Sequence, residues 1–208
     1  MNDENFEKLV SFVSQGEYNK AQDVCYRALL NGQDEHFWKT QLGYVLFLNE
    51  EDDQSYYNDA PSVFEGLVAK YPEDANAHFW LGYIYNIILN DIVSAQKEME
   101  KCLQLSEDFP YACVVLSGLV GDVDSIILLK RGLKRQPNNF RMLRQLAGIL
   151  MREGRRSEAK EVLSIILDHR AYVETNYGIM NNYINDVLTA ANHEITWRTE
   201  CQSIFDAL

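Results

Sequence analysis

One pattern recurs along this chain: a small residue, a bulky one four places on, and a small or apolar one three further. GEYNKAQDVCYRAL carries it as Ala21, Cys25 and Ala28, and NDAPSVFEGLVAKYP as Ala60, Phe64 and Leu67. VSAQKEMEKCLQL has Ala95, Met99 and Cys102, and GDVDSIILLKRGLKRQP has Ser125, Leu129 and Gly132. REGRRSEAKEVLSIIL has Ala159, Leu163 and Ile166. Steps of four and three keep all three residues on one face of an α-helix. A strand would scatter them over both faces, so the pattern predicts helices and no sheet. The small member lets a second helix backbone approach, and the bulky member fills the space beside it.

Each such helix has a partner upstream with a notch of its own. QLGYVLF holds Leu42 and Gly43, WLGYIYN holds Leu81, Gly82 and Tyr85, and QLAGILM holds Leu146, Ala147 and Leu150. NFEKLVSFV precedes the first of the five helices and is a weaker match. Gly154 stands where a tight turn joins two helices, and Pro72 and Pro137 close helices. The small residues fall at 21, 60, 95, 125 and 159, separated by 39, 35, 30 and 34 residues. A single such hairpin cannot bury its apolar face; a stack of them can.

A period near 34 residues is that of the tetratricopeptide repeat (TPR), and this chain resembles that family. Leu146, Ala147, Leu150, Gly154, Ala159 and Leu163 match its small and large positions in order. The resemblance covers about residues 3 to 187. It implies an all-α fold, a right-handed α-solenoid of about five to six helix hairpins. The whole of 1–208 reads as one domain, with a C-terminal capping helix over 188–208 built on Ile195, Trp197, Cys201, Ile204, Phe205 and Leu208. NYGIMNNYINDVL reads as the first helix of a sixth pair. The long separation comes from an acidic insertion, NEEDDQSYYND, read as a solvated loop or an extended helix end. The short one predicts a fourth hairpin that has lost most of its turn, around LVGDVD.

The net charge of −12 is unevenly placed. Residues 1–110 carry seven Lys and Arg against twenty Asp and Glu; residues 111–208 carry twelve against eleven. Such a chain repels phosphate backbones, which argues against nucleic acid and anionic membrane as partners. A basic protein surface fits better, although the charge also serves solubility alone. No apolar run approaches the roughly 20 residues that span a bilayer. The opening MNDENFEKLV has no signal-peptide character, so the expectation is a cytoplasmic protein. Cys25, Cys102, Cys113 and Cys201 form no CxxC pair and read as buried thiols in a reducing compartment.

No catalytic constellation stands out, and the expectation is a protein that is not an enzyme and needs no cofactor. His36, His78, His169 and His193 have no metal-ligand spacing. Residues 50–53, EEDD, lack the alternating ligands and central glycine of a calcium loop. The basic pairs at Lys130–Arg131, Lys134–Arg135 and Arg155–Arg156 read as exposed helix faces.

The resemblance carries the functional expectation. In the family the first helix of each pair lines a concave surface through its second, fifth, ninth and twelfth positions. Carried over, the second repeat presents Phe37, Thr40, Tyr44 and Phe47, and the third Asn76, Phe79, Tyr83 and Asn86. The fourth presents Tyr111, Val114 and Gly118, the fifth Arg141, Arg144, Gly148 and Met151, and the sixth Thr175, Gly178, Asn182 and Asn185. The candidate partner-binding residues are Phe37, Tyr44, Phe47, Phe79, Tyr83, Tyr111, Arg141 and Arg144, because aromatic rings and Arg make binding hot spots. The competing reading is that these rings bury against one another. Thr40, Tyr44, Trp80, Tyr111 and Val115 occupy the positions where some TPR domains clamp a chaperone's terminal carboxylate. None is Lys, Arg or Asn, which disfavours that mode.

The expected function is a non-enzymatic module that holds a protein or peptide, in the role of a stoichiometric neutraliser of the immunity type or of a dedicated chaperone. A self-assembling scaffold is the alternative, with oligomeric state open. An enzyme using His78 and a nearby carboxylate, or a phosphate-binding regulator using Arg141 and Arg144, is a weaker option.

Overall fold

The computed structural model describes residues 4–52, 59–107, 109–168 and 201–208. Their regular structure is α-helix, with no strand among them. The helices are α1 (Glu4–Ser14), α2 (Tyr18–Leu30), α3 (Glu35–Asp52), α4 (Asp59–Lys70), α5 (Ala75–Ile87), α6 (Ile92–Leu105), α7 (Pro110–Ser117), α8 (Asp122–Arg135), α9 (Phe140–Arg152) and α10 (Arg156–Leu167). A last helix, α11, covers residues 201–207. No helix among the described residues is long and apolar enough to cross a membrane.

The sequence reads as one continuous array, and the described residues fall into two compact units, one ending at Lys101 and the other beginning at Cys102. In the N-terminal unit α1 packs on α2, α2 on α3, α3 on α4 and α4 on α5. In the C-terminal unit α7 packs on α8, α8 on α9 and α9 on α10, and α7 also touches α9. Packing in chain order is what hairpins without a core of their own must do.

The repeated small residues sit where two helices meet. Ala21, Ala60, Ala95, Ser125 and Ala159 are buried, as are Cys25, Phe64, Met99, Leu129 and Leu163 four places on. The upstream notches are equally tight. A β-carbon on Gly82 would meet the Ala95 carbonyl oxygen at 3.1 Å and Met99 Cε at 3.2 Å. Ser125 is the one polar member of the series. Its hydroxyl donates to the Ser117 carbonyl at 2.6 Å, with the Gly121 carbonyl at 2.9 Å, so it enters the interface with its hydrogen bond made.

Helix ends follow from punctuation residues. Asp74 caps α5 by accepting from the Asn76 N–H at 2.9 Å, and Asn139 caps α9 by accepting from the Met142 N–H at 3.1 Å. Each cap lies two residues after a proline, Pro72 or Pro137, that cannot continue the preceding helix. Gly154 adopts φ +72°, a left-handed conformation that costs glycine nothing, and so turns α9 into α10.

Two expectations about repeat length meet the structure differently. α3 has 18 residues against 13 in α5, so the first part of the acidic insertion lengthens a helix up to Asp52. Residues 53–58 lie outside the described residues. The fourth hairpin has not lost its turn, because four residues, Gly118–Gly121, still separate α7 from α8. What is short is α7 itself, at eight residues. Pro110 fixes its start, and its end is closed by the Gly118 N–H reaching back to the Val115 carbonyl.

The tail packs as a cap where it is described. Cys201 is buried with Phe140, Leu143, Ala147, Leu163 and Ile166, and Ile204, Phe205 and Leu208 lie against the same cluster. Lys160 Nζ stands 4.9 Å from the Phe205 ring centre. Trp197, Ile195 and the expected first helix of a sixth pair fall outside the described residues.

Candidate functional site

In the N-terminal unit, the aromatic residues expected to line a groove gather around Trp80. Its ring lies 5.4 Å from Tyr44, 5.4 Å from Phe79, 5.9 Å from Phe47 and Tyr83, and 6.1 Å from Phe64. Trp80, Tyr44, Phe47 and Phe79 are all buried; Tyr83 is half-buried. Phe37 is half-buried beside Phe6 and Trp38, at 5.8 and 5.2 Å. Rings of this size gain more by packing edge to face on one another than by standing in water. The face is therefore a packed layer in which Phe37 and Tyr83 keep solvent access.

Two histidines of this unit meet carboxylates: His36 of α3 reaches the cap of α5, and His78 of α5 reaches α6. His36 Nε2 lies 2.7 Å from Asp74 Oδ2. His78 Nδ1 lies 2.6 Å from Glu98 Oε2, and its Nε2 lies 3.1 Å from the Pro72 carbonyl oxygen. Both tie the start of one helix to a neighbouring turn or helix. Among the described residues no three His, Cys, Asp or Glu side chains gather as a metal ion would need.

In the C-terminal unit an open cleft of about 670 Å³ runs between α7, α9 and α11. Its volume lies in the range of ligand-binding sites, roughly 300–1,000 Å³. Val114 and Gly118 of α7, and Arg141, Arg144, Gly148 and Met151 of α9, all line it. These are six of the seven residues that the resemblance places on the first helices of the fourth and fifth repeats. The seventh, Tyr111, is buried. Cys201 and Ile204 of α11 close one side.

The polar lining is organised by contacts about one repeat long. Arg152 grips Asp122 with two hydrogen bonds, Nη2 to Oδ1 at 2.7 Å and Nε to Oδ2 at 3.2 Å, and the guanidinium holds the Asp122 carboxyl below its ordinary range. Gln145 Nε2 donates to Ser117 Oγ at 2.8 Å. Arg141 is half-buried and Arg144 exposed. The sequence reading missed Ser117, Asp122, Gln145, Arg152 and Ile204. A signal for four of them was available. Ser117 and Gln145 are 28 residues apart and Asp122 and Arg152 are 30 apart, so each is a complementary polar pair about one repeat apart.

Compared with solved structures, the chain is similar to MamA protein, with TM-score 0.60 and 15% identity over 79% of this chain and 88% of that one. It is similar to TTC0263, a thermophilic TPR protein in Thermus thermophilus, with TM-score 0.61 and 13% identity over 97% of each chain. The fold is of the tetratricopeptide-repeat type. YrrB, described as a TPR protein with an unusual peptide-binding site, has TM-score 0.55 and 16% identity over 77% of this chain and 81% of that one. No protein-family model matches the sequence, and neither does any curated protein. At such identities a TPR-type fold is conveyed by backbone geometry alone, and the side chains in the cleft are this chain's own.

Proposed function

We propose that this protein is a non-catalytic binding module that holds a segment of a partner protein in the cleft between α7, α9 and α11. The carrying observation is that six first-helix positions from two successive repeats converge on one open space of about 670 Å³. The lining mixes apolar side chains with arginines, which suits an extended segment with both kinds of group. A similar structure, YrrB, is described as having a peptide-binding site. Tyr83 and Phe37 offer a further accessible aromatic surface, while Tyr44, Phe47, Phe79 and Tyr111 contribute through packing. A stoichiometric neutraliser or a dedicated chaperone is the finer form of this role, and its support is the acidic charge of residues 1–110.

The test is photo-crosslinking in the cell of origin. A photoreactive phenylalanine at position 151, inside the cleft, should give one major protein adduct; the same residue at position 66, on the exposed side of α4, should not. Equal background at both positions removes the reading.

Self-assembly is the second reading, and a specific surface favours it. Ile87, Leu89, Ile92 and Val93 are all exposed at the α5–α6 turn of the N-terminal unit. Replacing Ile92 and Val93 by Ser should shift light scattering toward monomer if this surface pairs copies. A protein that is monomeric at high concentration before the change ends that reading.

A further inference from the structure

We infer that the C-terminal cleft seats an aromatic side chain of the partner segment, and that Gly118 and Gly148 are the residues that select it. This deepens the binding reading above and rests on it.

A leucine, a small residue and one further residue recur along α3, α5, α7 and α9. They are Leu42, Gly43 and Tyr44; Leu81, Gly82 and Tyr83; Leu116, Ser117 and Gly118; and Leu146, Ala147 and Gly148. The third member is tyrosine in the N-terminal unit and glycine in the C-terminal one. The tyrosines fill their places with rings. Tyr44 lies 5.4 Å from Trp80, and Tyr83 lies 5.9 Å from Trp80 and from Phe79. The glycines leave theirs open. A β-carbon on Gly148 would meet nothing within 4 Å among the described residues, and one on Gly118 only the Val115 carbonyl oxygen, at 3.3 Å. Both glycines line the cleft.

Neither backbone nor packing requires glycine at these two places. Gly118 has right-handed helical geometry, with φ −82°, and Gly148 lies inside α9. Gly43 is different, because Phe64 stands 2.7 Å from where its β-carbon would be. Glycine in a helix costs stability relative to alanine, since more backbone freedom is lost on folding. What Gly118 and Gly148 supply in return is room inside the cleft.

The walls of that room suit a ring. With no β-carbon the helix surface is flat down to the backbone, and a planar group can lie close on it. Val114 and Met151 also line the cleft, at the register positions that Phe79 and Phe47 hold in the other unit. Both are apolar, and a methionine thioether makes favourable contacts with aromatic rings. A Phe or Tyr of the partner therefore brings from outside the ring that Tyr44 and Tyr83 bring from within, and buries a large apolar area in doing so.

The experiment uses the full chain with isotope-labelled methionine methyl groups and two probes. One is p-cresol, the tyrosine side chain; the other is its saturated counterpart, methylcyclohexanol. p-Cresol should shift the Met151 methyl resonance saturably, at about fivefold lower concentration than methylcyclohexanol. The methyl of Met99, buried in the other unit, should not move. Gly148→Tyr should fill the seat from within, so that p-cresol no longer shifts Met151. Gly148→Ala should weaken p-cresol binding and raise the unfolding temperature. Earlier unfolding of either variant would mean that the space above Gly148 is not open, and overturns the proposal. Equal action of the two probes, or none from p-cresol, with an adduct still formed at position 151, overturns the aromatic seat and leaves the binding module standing. Absence of both the shift and the adduct removes the module itself.

Discussion

Phe64 of α4 lays its ring over Gly43 of α3, so that a β-carbon on the glycine would stand 2.7 Å from Phe64 Cε2 and 2.9 Å from Cζ. Phe64 is fully buried and cannot swing away. Gly43→Ala should therefore destabilise the N-terminal unit by about 1–3 kcal/mol, as overpacking does. Gly66→Ala is the control, since its β-carbon meets nothing within 4 Å on the exposed side of α4. It should stabilise by roughly 0.5–1 kcal/mol through helix propensity. Urea denaturation of both variants checks the sign difference; equal effects would mean that Phe64 does not fill a glycine notch.

Trp80 joins five rings and is itself buried. Trp80→Ala should cost about 3–5 kcal/mol, and Phe79→Ala a comparable amount. Thermal unfolding should register both. Retained stability with lost partner capture would instead return these rings to a binding surface.

His78 and Glu98 form a pair whose side chains are only 9% and 13% exposed. His78→Ala leaves the carboxylate of Glu98 buried without its partner, at a cost of roughly 3–5 kcal/mol. Adding Glu98→Ala should recover part of that loss, because the stranded group is then gone. A double-mutant cycle with no coupling would show that the contact contributes nothing.

Glu35 accepts hydrogen bonds from Lys39 at 2.8 Å and Lys70 at 2.5 Å, and these lower its carboxyl from an ordinary 4.5 to about 2. A carboxyl depressed in the folded state stabilises fully above its unfolded pKa, and that contribution fades as pH falls from about 4.5 to about 2. Glu35→Gln should flatten this part of the acid-unfolding profile while changing little at neutral pH. An acid limb identical to the parent protein's removes the assignment. Both partners are solvent-exposed, so the effect shrinks with added salt.

All four cysteines are buried, and burial pushes the Cys25 thiol up to about 12. The thiolate is the reactive form. Iodoacetamide at mildly alkaline pH should leave the native protein unmodified and label all four thiols in urea. Fast labelling of the native state by intact-mass measurement contradicts this packing.

The order of small and bulky residues was enough to read helices, their pairing and the small contact points, because nesting two backbones restricts side-chain size at fixed helical steps. Ala21, Ala60, Ala95, Ser125 and Ala159 sit where that rule puts them. The same register named six residues of the cleft, since the face of a helix follows from its period. It did not settle which faces stay open. Phe47 and Phe79 hold the same register positions as Met151 and Arg144, yet the first pair closed on Trp80 while the second lines the cleft. That outcome depends on what neighbouring helices bring opposite each face: five large rings in one unit, and in the other small residues and arginines that cannot bury together. Helix length escaped the sequence for a related reason. The missing residues of the fourth repeat came out of α7, and only the contacts at both of its ends decided where it stopped.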